Sequence, residues 1–410
     1  MCLFLMAFCF PLISPAAEKT NAIPQPRVFL MDKEALLKAR ERVAKNDPKL
    51  KPALEELIKN ARKALKLKAP SVMDKSLTPA SGDKHDYMSF GPYWWPNSSE
   101  KDRPYIRRDG EVNPTSKDGS TDPVAMKTMT SAVDTLALAY YLTGRKEYAQ
   151  KAAELLRTWF LAPATQMHPH MRFAQAIPGI TEGRGAGIID AVMLAKMLDS
   201  VGLLAGSSHW TTKDQRDLEA WFRDFLQWLQ NSKSGGFESR ARNNHGSWYD
   251  FTVSSCALFV NQTNAAKEII EAAKHKRIDR QIEPDGRQPF ELTRSNSFHY
   301  SVYNLEALWH LATLGQHVQV DLWQYESKDG RSLRKALDFL TPYADSGKKW
   351  PYSEIRAGGK GFRGLPYQKA LPSMLKQAAL IYKDEHYLDY LSKIEQLEEM
   401  DVRVRLLYAD

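Results

Sequence analysis

Cysteine is nearly absent, with 3 in 410 residues. Cys2 and Cys9 fall in an apolar N-terminal stretch, so a chain that loses that stretch keeps only Cys256, which has no partner for an intramolecular disulfide. A disulfide-stapled fold is thereby excluded. Cys256 lies in the apolar run 253–260 and reads as a buried, inert thiol. Runs of one charge are missing too. Lys and Arg number 57 against 49 Asp and Glu, a net charge of +8, yet five consecutive basic residues occur nowhere. That argues against a nucleic-acid-binding tail and leaves a folded cationic surface or cleft for an anionic ligand. The apolar stretch 3–13 is shorter than the ~20 residues a spanning helix needs, so no membrane span is expected. Alternating strand patterns are scarce. With 43% hydrophobic and 26% charged residues, the chain is neither disordered nor fibrous.

The first seventeen residues carry no charge, and Ser14-Pro15-Ala16-Ala17 supplies small residues before Glu18. This reads as a secretory leader over 1–17, with a periplasmic or secreted product. No Lys or Arg precedes the apolar stretch, and Phe8 fits poorly before Cys9 where lipidation wants a small residue. Residues 18–410 read as one unit. Oligomeric state has no signature in the sequence.

Helical spacing of apolar residues dominates after residue 120. Helices are expected over 131–141, 147–160, 187–201, 214–229, 249–260, 265–273, 300–314, 333–340 and 373–382. They come in pairs, which close either into a solenoid or into a ring. The loops here are long and rich in aromatic and polar residues, unlike solenoid turns. The fold class expected is all-α: an (α/α) toroid of about six to seven helical hairpins, with a long aromatic loop, 80–123, over a central cleft.

Four polar segments interrupt the pattern. The first, Asp86-Tyr87-Met88-Ser89-Phe90-Gly91-Pro92-Tyr93-Trp94-Trp95-Pro96-Asn97, sets four rings among turn residues. Tyr87, Tyr93, Trp94 and Trp95 suit stacking on sugar faces, or else a local mini-core that pins the loop. The second holds His168, His170 and Gln175, then Gly183-Arg184-Gly185. His168 and His170 have no third metal ligand at a telling spacing, so neither metal nor cofactor is expected. Arg184 binds an anion or serves a structural network. The third, Arg242-Asn243-Asn244-His245-Gly246, opens an apolar helix. One Asn is an ordinary cap, but His245 has no comparable bland role. In the fourth, Arg294, His299, Tyr300 and Tyr303 lead into another helix and suggest a cationic mouth.

Together these segments resemble the alginate lyase superfamily of polysaccharide lyases. The resemblance is carried by Tyr93-Trp94-Trp95-Pro96, Gln175-Ala176-Ile177-Pro178-Gly179, Gly183-Arg184-Gly185, Asn243-Asn244-His245 and His299-Tyr300. It implies an α/α toroid, an exported enzyme, and metal-independent β-elimination on a uronate polymer. By position, it implies that His245 and Asn244 are the family's histidine and asparagine, Tyr300 its catalytic tyrosine and Arg294 its upstream arginine. The Arg294-to-Tyr300 spacing and the Ser301-Val302 that follow are closer to polysaccharide lyase family 38 than to family 5. Tyr87, Tyr93, Trp94, Trp95, Gln175, Arg184, Asn243, His299 and Tyr303 are the expected substrate-binding residues, and an anionic polysaccharide the expected partner.

β-Elimination removes the C5 proton of a uronate and expels O4. Donors must neutralise the carboxylate so that charge can build up on it; Asn244, His245 and Arg294 are suited. In D-mannuronate and D-glucuronate the C5 proton and O4 lie on one side, so one tyrosine, its pKa lowered by cationic neighbours, suffices as base and acid. Tyr300 is expected in that role, with His245 neutralising the carboxylate or sharing the base role. Two readings compete: a glycoside hydrolase using Asp250 and Glu291 as its carboxylate pair, and a polysaccharide-binding protein without catalysis.

Overall fold

The computed structural model describes residues 25–97, 104–343, 348–355, 370–394 and 401–408. The expected leader, 1–17, lies outside them. Four helices, Pro123–Thr143, Val192–Leu203, Asn244–Phe259 and Ser297–Gln316, pack side by side in chain order, and Ala370–Tyr382 packs against the last of them. Outer helices alternate with them in sequence: Lys146–Leu156, Thr212–Asn231, Thr263–Ala273, Leu333–Leu340 and His386–Lys393. Lys33–Ala44 and Lys51–Ala64 form a sixth pair against Pro123–Thr143, and the short C-terminal helix Val402–Leu407 returns to both. Six helical pairs thus close into the α/α toroid that the periodicity predicts.

Local chemistry sets the ends of these helices. Pro123 occupies a first-turn position, where its missing N–H has no intrahelical acceptor to lose. Gly144, at φ 70°, ends that helix in the left-handed conformation a side chain would disfavour. Thr211 and Asp214 form a reciprocal capping box at the start of Thr212–Asn231. The outer helices are amphipathic; the inner ones are apolar nearly all round, because neighbours cover them on several sides. Asn244–Phe259 is the extreme case: every residue in it is buried except His245. Cys256 lies within this core as a free thiol, its pKa pushed up by burial, as the sequence suggested.

The long loop is ordered over its described residues. Met88–Phe90 pairs in parallel with Phe173–Ala176, and Trp94–Trp95 pairs antiparallel with Ile106–Arg107. These two small ribbons carry the aromatic segment to the ends of the inner helices. No described helix is long and apolar enough to cross a membrane.

Candidate active site

His245 is the one residue of its helix not buried, and its placement is controlled from behind. Its Nδ1 lies 2.5 Å from Oε1 of Glu238, on the preceding short helix Lys233–Ser239. Glu238 is 1% exposed, and its other oxygen has no hydrogen-bond partner among the described residues, so the carboxylate is directed at the imidazole. A buried carboxylate there requires the proton on Nδ1 and leaves Nε2 for other chemistry. Glu238 was not picked out from the sequence. It stands seven positions before His245, on a segment with no marked periodicity.

Asn244 precedes His245 and is 1% exposed. Its backbone N–H and its side-chain amide both donate to Glu291, at 2.6 and 2.7 Å. One amide hydrogen is left for a ligand. Burial pushes the Glu291 carboxyl up to about 7, against the pull of the two Asn244 hydrogen bonds. Asn243 occupies the cap position, but its side chain makes no capping bond. Asp250 is buried against Arg277 at 2.7 Å and Lys276 at 3.2 Å. Neither Asp250 nor Glu291 is open to a glycosidic bond, which removes the hydrolase pair.

Tyr300 sits in the first turn of Ser297–Gln316. Its hydroxyl is 2.5 Å from that of Tyr93, and the Arg294 guanidinium lies 3.7 Å from the centroid of its ring. The sequence predicts a phenol lowered in pKa by cations. The structure reverses this: burial and the adjacent Tyr93 push the Tyr300 phenol well up, and Arg294 offsets them only in part. Arg294 is also paired with Asp109. Arg294 donates to it through Nη2 at 2.7 Å and Nε at 3.0 Å, so most of its charge is already matched. The Asp109 carboxyl, which burial would raise, is held at about 2 by Arg294 and Ser295. Gly110, at φ 79°, lets the loop approach this closely: a Cβ there would come within 2.4 Å of both Ser295 and Asn296 side chains. Arg294 therefore braces the tyrosine and the loop rather than standing free as a donor. Asp109 was not picked out from the sequence.

The remaining expected binding residues divide. Tyr87 is fully buried, its hydroxyl donating to Asp190 at 3.1 Å, so it pins the loop and does not reach sugar. Tyr93, Trp94 and Trp95 are half-buried. Trp95 packs under Arg108 and donates to Glu111 O, while Trp94 lines a cavity of about 280 Å³ with Tyr105, Ala176 and Pro178. Gln175, at φ 49°, accepts from Arg184 Nη2 at 2.6 Å. Arg184 Nε has no hydrogen-bond partner among the described residues; burial and Arg107 lower its pKa, and Glu238 and Asp190 oppose them. Its flanking glycines are dictated by packing: a Cβ on Gly183 would meet Arg172 O at 2.0 Å. His299 stacks on Tyr303 at 5.7 Å and lies 5.0 Å from the Tyr300 ring. Tyr303 in turn packs on Trp248.

One cluster was dismissed on spacing. Asp86 Oδ1 lies 2.8 Å from His168 Nδ1 and 3.1 Å from His170 Nε2, so the fold supplies the third group that the sequence lacked.

A family model described as alginate lyase matches residues 71–350. The solved structure of an alginate lyase from Bacteroides ovatus is 38% identical and superposes with a TM-score of 0.87, covering 94% of this chain and 99% of that one. An alginate lyase from a Sphingomonas species (18% identical, TM-score 0.57, 92% and 95% covered) shares the fold. So does an alginate lyase variant complexed with a tetrasaccharide (16% identical, TM-score 0.58, 94% and 98% covered). No curated protein matches the sequence.

Proposed function

This chain belongs to the alginate lyase family and is a polysaccharide lyase; from that premise we propose that it cleaves a 1,4-linked polyuronate, poly-mannuronate alginate or glucuronan, by syn β-elimination. Two observations carry the reading: a Tyr300 phenol braced by Arg294, and a His245 anchored by Glu238. In this reading His245 Nε2 takes the C5 proton from the sugar face on which O4 also lies. The Tyr300 hydroxyl delivers its proton to O4 as the C4–O4 bond breaks. The imidazolium then returns a proton to the phenolate, and both groups are reset. Burial keeps the Tyr300 phenol protonated at rest, so it starts the cycle with a proton to give, and the base role expected of Tyr300 moves to His245. The remaining Asn244 amide hydrogen and Arg184 meet the substrate carboxylate as charge builds on it. Mannuronate and glucuronate differ at C2, away from the reacting atoms, so this machinery serves either. Export through the 1–17 leader accords with a polymer too large to enter the cell.

The reading is tested by incubating the protein with alginate, poly-mannuronate and glucuronan while following ultraviolet absorbance. The expected result is growth of the band of a 4,5-unsaturated uronate on at least one polymer. Reducing ends without that band would make it a hydrolase, and neither signal would leave a binding protein.

Glu238→Gln tests the anchoring of His245. An amide can accept from or donate to Nδ1, so it no longer selects one tautomer. We expect kcat to fall roughly 10-fold with KM little changed. Unchanged kcat would make the pair a packing contact.

A further inference from the structure

Asp86 lies just before Met88–Phe90, and His168 and His170 lie just before Phe173–Ala176. These are the two strands of the parallel ribbon that places Ser89 and Gln175 beside Asp190. Two short strands make few ladder bonds, and no disulfide joins them. The three side chains meet at the open end of this ribbon, with one potential ligand atom from each within 4.8 Å of the others. In a tetrahedral zinc site with bonds of ~2.0–2.1 Å, ligand atoms stand about 3.3 Å apart. The Asp86–His168 and Asp86–His170 separations, 2.8 and 3.1 Å, are within half an ångström of that.

We propose that Asp86, His168 and His170 form a zinc-binding site that clamps the two strands together. Two imidazoles and one carboxylate are a ligand set zinc prefers, with one position left for water or a further oxygen. Asp86 is almost wholly buried while the two histidines are partly open, which gives the ion a route in from solvent. His170 is backed by the rings of Phe173 and Trp228, which limit its swing. On binding, the Asp86–His hydrogen bonds give way to metal bonds, and each imidazole carries its proton on the other nitrogen. For His170 that displaces only a 3.4 Å contact from the Arg172 N–H. The ion is structural, separate from Tyr300 and His245, and no step of elimination passes through it.

The test uses the full mature chain without a histidine tag, stripped with a chelator and dialysed. Titration with Zn²⁺ in a calorimeter is expected to give one site per chain with a Kd below about 10 µM, and zinc to raise Tm. Co²⁺ is expected to give visible absorption bands of a four- or five-coordinate N/O site. His168→Gln with His170→Gln, which keeps side-chain volume and hydrogen bonding, is expected to abolish binding and both signals. Zinc stoichiometry unchanged in that variant would overturn the proposal, as would wild-type binding weaker than about 100 µM. If the double variant does not fold, wild-type cobalt decides: absence of the bands leaves the cluster a hydrogen-bonded clasp and nothing more.

Discussion

Tyr300→Phe is expected to abolish elimination, with kcat falling about 10³-fold or more, while the protein stays folded. A positioned general acid contributes on the order of 10²–10⁴ in rate. The fold should tolerate the change. The ring keeps its contacts with Arg294 and His299, and among the described residues the lost hydroxyl bonds only to the half-buried Tyr93. A stability cost of about 1 kcal/mol or less follows. The check is ultraviolet-detected turnover alongside circular dichroism and Tm. Turnover near the wild-type level would remove Tyr300 from the chemistry.

His245→Ala is expected to lose about 3 kcal/mol of transition-state stabilisation, roughly 150-fold in kcat/KM. This variant has a structural side effect that must be separated. Without the imidazole, both oxygens of the buried Glu238 lack a partner, which costs about 1–3 kcal/mol of stability. Adding Glu238→Gln removes the stranded charge. The double variant is therefore expected to regain stability and to remain as inactive as His245→Ala alone. Recovery of activity together with stability would mean that His245 serves packing. A rate loss under threefold in the single variant would mean the same.

Much of the architecture was legible in the sequence because inner and outer helices differ in their apolar pattern. The run 249–260 is mostly apolar, and in the fold its helix is buried on all sides. The polar segments at 242–249 and 291–304 were legible because they interrupt such runs, which is where a core helix meets solvent. Helix starts were placed late: the observed helices begin at Asn244 and Ser297, so His245 lies in a first turn and not in a preceding loop, and Tyr300 is the fourth residue of its helix and not the first. Polar residues at a helix start look like loop in a periodicity reading, because the first turn's donors are satisfied from outside the helix.

The site itself was half legible. Tyr87 was grouped with the sugar-facing rings because neighbours in a loop look alike in sequence, yet it points inward to Asp190 while Tyr93 points toward Tyr300. The acidic partners of the basic side chains, Glu238 for His245, Asp109 for Arg294, and Asp86 for His168 and His170, went unread. Each comes from a different element, 7, 185 and 82 or more positions away, and no local pattern marks such a pairing.

The sequence by itself determined the toroid, the family and the identity of the catalytic candidates, since these rest on helical period and on short runs of contiguous residues. Only the tertiary structure decided their protonation and their roles. Whether Tyr300 rests as an acid or a base depends on how deeply its phenol is buried and on whether Arg294 is already matched by Asp109. Both are properties of distant segments brought together, because desolvation and charge pairing act through space and not along the chain.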